Sequence, residues 1–276
     1  MRFDSQVAET AVVKITDISI FYEFTAQGLL RRTEPLELVY RTWSGQRDVR
    51  LVCLHSVSGP NAFGESVAQA VDGRFSVVGL DLRGFGSSPR PTNDYTVDLW
   101  AGDVVKLLVE LGKESKDRLV LYGHGLGACV AAETSRRMPL AGLVLTGVAF
   151  GSGEPASLAK VAEVGDTGSD IAGLLAESTG QDDERSLLTP QIVARAIRAW
   201  QIFEFLPENL SAGLPTLVVG ARNDFLTPLE AHGGGRWFAE GCGARFDVID
   251  SGHEIAREHP AELERSIHQW LEKEVV

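Results

Sequence analysis

Cysteine is scarce in this chain: Cys53, Cys129 and Cys242 are all it has. Their odd number, wide spacing and apolar contexts argue against a disulfide framework or a zinc site and fit reduced, buried thiols of a cytoplasmic protein. Basic residues are also few, with 26 Lys and Arg against 38 Asp and Glu and a formal charge of −12. Such a surface repels a phosphate backbone, so nucleic acid is not an expected partner. No run of about eighteen uninterrupted apolar residues occurs. The opening MRFDSQVAET has no positive start followed by an apolar stretch, so neither secretion nor membrane insertion is expected. A Walker-type loop, a metal-ligand cluster and a flavin signature are missing as well, and no cofactor is expected. Internal repeats and low-complexity tracts are absent too.

What is present is the composition of a soluble globular protein: 276 residues, 44% hydrophobic and 23% charged, enough for one large α/β domain. Val12 to Phe24 and Leu36 to Trp43 read as strands, with Ser44 and Gly45 turning the chain, and suggest an antiparallel sheet edge. Short apolar runs then follow at Arg50 to His55, Phe75 to Leu82, Leu119 to Tyr122, Leu140 to Val148, Pro215 to Gly220 and Ala244 to Ile249. Runs of that length alternating with helices predict a mostly parallel central sheet with helices on both faces. Helices are expected at Ala62 to Val71, Val97 to Leu111, Leu126 to Met138 and Leu229 to Ala239. A last helix should start near Pro260, with Leu263, Ile267, Trp270 and Leu271 on one face.

Between Gly151 and Leu214 the strand rhythm stops. A Gly- and Ser-rich acidic stretch leads to Thr189 and Pro190, good helix-start residues, and Ile192, Val193, Ala196, Ile197, Trp200 and Phe203 follow helical spacing. Residues 151–214 are therefore expected to form a helical cap inserted into a core made of 1–150 and 215–276. Its stripe reads first as packing on the core, second as lining for a pocket that would suit an apolar or aromatic small molecule.

Leu119 to Ala128, LVLYGHGLGA, has the form of a strand-to-helix elbow: an apolar strand, then Gly, any residue, a nucleophile, any residue, Gly, and a helix of small residues. The nucleophile slot holds Gly125, which has neither hydroxyl nor thiol, so covalent attack cannot run through it. The same letters satisfy GxGxxA, the dinucleotide fingerprint, through Gly123, Gly125 and Ala128. That reading fails because the next strand ends Thr146, Gly147, Val148, with no acid to hold a ribose.

Three more segments end apolar strands, where ligands bind in open α/β sheets. LVVGARND puts Asp224 in a loop, FDVIDSGHE puts His253 in a loop before the last helix, and LVCLHSVSG puts small polar residues after the third strand. With GHGLGA and DLRGFGSS (Asp81 to Ser88), these segments resemble the α/β-hydrolases of the single-domain, cap-bearing type, from about Leu36 onward. The resemblance implies that Asp224 orients His253, that His253 is the base or acid, and that the N–H groups of Val57 and Leu126 form an oxyanion hole. His55, Ser56, His124, Trp200 and Phe203 become candidates for contact with a small-molecule substrate, although His124 reads more readily as a packing residue. Ser56 and Ser58 fit as hydrogen-bond donors to substrate, and nothing in the sequence supports either as a nucleophile. Cys129 reads as core. Two positions depart from the family pattern: Ser56 follows His55 where the family has glycine, and Gly125 stands at the nucleophile.

Glycine tolerates the strained elbow backbone, so the fold should survive this substitution. Three readings stay open: a serine hydrolase without its nucleophile; a cofactor-free general-base enzyme in which Gly125 makes room for water or substrate, as hydrolase, lyase, decarboxylase or cyclase; and a non-catalytic small-molecule receptor.

Overall fold

The computed structural model describes residues 8–25, 28–57, 62–92, 95–114, 117–150 and 190–275, with the side chains of 15–34, Glu114 and Pro190 outside the description. Ser58 and residues 151–189, which include Thr189 and most of the expected cap, lie outside them. One sheet of 8 strands runs through the molecule in the order β1-β2-β4-β3-β5-β6-β7-β8. Its antiparallel edge is a long hairpin, β1 (Glu9–Thr25) against β2 (Gly28–Trp43). The second strand starts well before the expected Leu36, because Pro35 sits where the register shifts between Ile15 and Ile18. A bulge tolerates a residue that cannot donate to the ladder.

The strands β3 (Arg47–Leu54), β4 (Phe75–Leu80), β5 (Arg118–His124), β6 (Gly142–Thr146), β7 (Thr216–Ala221) and β8 (Arg245–Ile249) pair in parallel. Their side chains alternate between two buried faces. Val120 and Tyr122 enter one core with Phe63, Val67, Leu263 and Trp270, while Leu121 enters the other with Trp100, Val104, Leu126 and Val130. Burial on both faces is why these strands read as continuous apolar runs.

Helices α1 (Ala62–Val71) and α7 (Pro260–Trp270) cover the first face, and α2 (Val97–Glu114), α3 (Leu126–Ser135) and α4 (Pro190–Gln201) contribute to the second. The α4 stripe of Ile192, Val193, Ala196, Ile197 and Trp200 is buried. α5 (Gly235–Cys242) begins later than the expected Leu229, because Gly233 at φ 79° turns the chain before the helix can start. α6 (Ile255–Glu258) is one turn ahead of α7. No described helix is long and apolar enough to cross a membrane. All three cysteines are free, and Cys53 and Cys129 are buried.

The loop after β4 is anchored from below. Arg83 donates to both carboxylate oxygens of Asp103 on α2, each at 2.7 Å, with side chains only 3% and 2% exposed. Its carbonyl accepts from the Trp100 indole. Removing one partner strands a buried charge, so Asp103→Ala is expected to lower the unfolding free energy by about 3–5 kcal/mol. Urea unfolding followed by far-UV circular dichroism measures this.

Candidate active site

The parallel register determines which residues meet at the carboxyl end of the sheet. Leu54 pairs with Gly123, and Gly123 with Leu145, across β3, β5 and β6. Ser56, Gly125 and Gly147 each stand two residues beyond that row, and they form the next row. Gly125 closes the turn between β5 and α3 at φ 55°, ψ −117°, and its N–H donates to the Thr146 carbonyl at 3.0 Å. Gly147 also lies at positive φ, 59°. Both positions suit glycine alone without strain.

A Cβ on Gly125 would overlap Ser56 Oγ and fall 3.2 Å from the Trp200 ring. A Cβ on Gly147 would fall 3.0 Å from His253 Cε1 and 3.1 Å from the His124 ring. The two glycines therefore form a bare floor, bounded by Ser56 on one side and the imidazole of His253 on the other. Trp200 of α4 stands against it, its indole N–H donating to the Ala149 carbonyl at 3.2 Å.

His253 and Asp224 are joined by a hydrogen bond of 2.8 Å from Nδ1–H to Oδ2, and both side chains are 2% exposed. Asp224 sits in a tight side-chain turn, Oδ1 accepting from the amides of Leu226 and Thr227 and Oδ2 from the Thr227 hydroxyl. Burial alone would raise its pKa, but the charge of His253 and these hydrogen bonds hold it well below the ordinary carboxylate range. For His253, burial pulls downward and Asp224 overcomes it, so the imidazole pKa stands above 6.5. With Nδ1 committed to Asp224, Nε2 is the atom left for a reacting proton.

The loop that carries His253 is tied by Glu258 of α6. The Glu258 carboxylate accepts from the Ser251 hydroxyl and from the amides of Gly252 and Glu254. Glu258 and Thr227 escaped the sequence reading, since each acts on a neighbour in its own loop and neither belongs to a strand-end motif. The only signals were a carboxylate just before Pro260 and a hydroxyl three residues after Asp224.

His55 is held by backbone on both sides: Nδ1–H donates to the Ser56 carbonyl at 2.5 Å and Nε2 accepts from the Leu82 amide at 3.1 Å. Burial, opposed by the Ser56 carbonyl, brings its pKa down to about 4, so it is a neutral latch between two loops. Phe203 joins an aromatic cluster with Phe150 and Phe205, at ring separations of 6.2 and 6.1 Å. His124 is 2% exposed, bonded through Nδ1 to Thr146 Oγ1 at 3.0 Å, stacked on Phe63 and 4.4 Å from the His253 ring. It is a wall behind the base. Leu126 opens α3, so its N–H has no acceptor within the helix, and no hydrogen bond among the described residues occupies the Val57 amide. His124, His253 and Glu254 offer ligand atoms within 4.8 Å of one another, the described group that could hold a cation.

The profile of the alpha/beta hydrolase family matches residues 51–265. An uncharacterized protein of Mycobacterium tuberculosis is 29% identical over 118 residues, 40% of this chain and 34% of that one, so the match spans about a third of that relative's length. A thermophilic esterase from Thermogutta terrifontis shares the fold at a TM-score of 0.72 and 24% identity, over 97% of this chain and 100% of that one. The enol-lactonase of Burkholderia xenovorans does so at 0.70 and 20%, over 91% and 100%. At these identities the likeness is one of fold.

The contact between positions 56 and 125 can be measured. Gly125→Ala is expected to cost about 1–3 kcal/mol through backbone strain. Added to Ser56→Gly it should cost less, with a coupling of about 0.5–3 kcal/mol in a double-mutant cycle of urea unfolding.

Proposed function

Because the chain belongs to the alpha/beta hydrolase family, we propose that it hydrolyses a small, largely apolar ester or lactone, with Asp224 and His253 as its proton-transfer pair. The observation that carries this reading is the buried 2.8 Å hydrogen bond between them, beside two glycine positions that carry no side chain. Asp224 keeps the proton on Nδ1 and stabilises the imidazolium that forms when Nε2 takes a proton from the attacking hydroxyl. The amides of Val57 and Leu126 are the donors for the oxyanion, their two strands being neighbours in the sheet. Trp200 against the floor favours an apolar or aromatic acyl group. An esterase and an enol-lactonase among proteins of the same fold support carbonyl chemistry as the class of reaction.

The test is turnover of a panel of aryl esters and lactones, run with a chelator present so that no bound cation contributes. His253→Ala is expected to lower kcat/KM by about 10²- to 10⁴-fold, and unchanged turnover overturns the reading.

A pH profile gives a second measurement. His253 accepts a proton only when neutral, and Asp224 raises its pKa above 6.5. Activity should therefore be lost as pH falls, with the midpoint of the acid limb above 6.5. Asp224→Asn removes the charge that raises it and should move the limb to lower pH along with a fall in kcat.

A further inference from the structure

The two departures from the family pattern are in contact. Position 56 carries a hydroxyl where the pattern has glycine, position 125 carries none where the pattern has a nucleophile, and Ser56 Oγ occupies the space where a side chain on residue 125 would begin. The sequence offered no reason to connect them, because they are far apart in the chain. The register connects them: they extend neighbouring strands by the same number of residues past the Leu54 and Gly123 pair. A side chain at 125 and the hydroxyl at 56 exclude each other, so the glycine is the complement of the serine.

The hydroxyl itself is unusual. Ser56 is 1% exposed, and its Oγ makes no hydrogen bond among the described residues. A buried hydroxyl without a partner carries a desolvation cost, and such groups concentrate where chemistry needs them. Its direction is set by the backbone, since the carbonyl of Ser56 is held by His55 and His55 is held by the Leu82 amide. The Gly125 position adjoins Ser56 Oγ and the Gly147 position adjoins the His253 ring, and neither glycine carries a side chain.

We propose that Ser56 is the nucleophile, the reactive hydroxyl having moved from the elbow to the loop after β3. This rests on the hydrolase reading of the same site. In the first half-reaction Ser56 Oγ adds to the carbonyl carbon of the ester and its proton passes to His253 Nε2. The carbonyl π pair moves onto oxygen, which the Val57 and Leu126 amides receive. Collapse breaks the bond to the leaving alkoxide, which takes the proton from His253 and departs as the alcohol, leaving an acyl group on Ser56. Water then adds to the acyl carbon, giving its proton to His253. Expulsion of Ser56 Oγ, which recovers that proton, releases the carboxylic acid and restores the hydroxyl. The Val57 amide stands to Ser56 as the Leu126 amide stands to residue 125, one peptide onward from the attacking group.

The experiment treats the full chain with a fluorophosphonate and maps the adduct by peptide mass spectrometry, alongside turnover of the ester panel. The expected adduct is on Ser56, and it should be absent in Ser56→Ala and His253→Ala. Ser56→Ala should lower kcat by about a thousandfold or more, with circular dichroism confirming the fold. Ser56→Cys should be alkylated by iodoacetamide at that position and retain an acyl adduct from an activated ester. In the double variant Ser56→Gly, Gly125→Ser the fluorophosphonate adduct should move to position 125. An adduct on any other residue of the wild type, or Ser56→Ala retaining turnover within about twofold while His253→Ala abolishes it, overturns Ser56 as nucleophile and leaves water as the attacking group under the same base. Turnover that survives His253→Ala overturns the hydrolase reading itself, and a wild type with neither adduct nor turnover overturns both.

Discussion

The in-register parallel ladder from β3 to β8 is the constraint on which everything at the site depends. Strands that rise together end together, and the first residues past their ends make a row across the sheet. In this chain the row holds Ser56, Gly125 and Gly147, with the His253 ring meeting its far end. A slip of one residue in β5 would turn every side chain of that strand to the opposite face, sending Tyr122 into the core now filled by Leu121. The apolar alternation that stabilises the sheet is therefore also what aligns the reacting groups.

Electrostatics act within that frame. Three imidazoles crowd the carboxyl end of the sheet, all nearly inaccessible, and burial disfavours charge on each of them. Of these, His253 is bonded to the Asp224 carboxylate and is pulled upward past its ordinary value. His55, bonded to two backbone groups, goes the other way. His55 and His253 thus part by choice of hydrogen-bond partner rather than by depth.

Much of the fold was legible from residues alone because parallel strands buried on both faces give unbroken apolar runs, and all such runs from β3 to β8 were visible. Helix α1 was visible from end to end, and so was the start of α7, where Pro260 takes a first-turn position. The extension of β2 through Pro35 and the late start of α5 were hidden, since a bulge partner and a positive φ are matters of pairing and backbone geometry. At the site, Asp224, His253 and Gly125 could be picked out because each ends a strand in a recognisable segment. The bonding of His55 to two backbone groups could not be read, because a histidine so held and a histidine at a mouth look alike in sequence. The meeting of Ser56 with residue 125 could not be read at all, because pairing between β3 and β5 is decided only when the sheet assembles.

The elbow keeps its strained turn although it presents no nucleophile. A left-handed φ at 125 still lets the chain reverse directly from β5 into α3, which sets the Leu126 amide at the mouth and α3 against the sheet. In the proposed mechanism the hydroxyl comes from the neighbouring loop, whose Ser56 side chain reaches the same volume. The proposed move of the nucleophile across one strand spacing would divide the work of the usual elbow between two loops: one presenting the hydroxyl with the amide that follows it, the other a second amide at a helix start, where the partial positive charge favours an oxyanion. The glycine at residue 125 leaves the space into which the side chain of residue 56 extends.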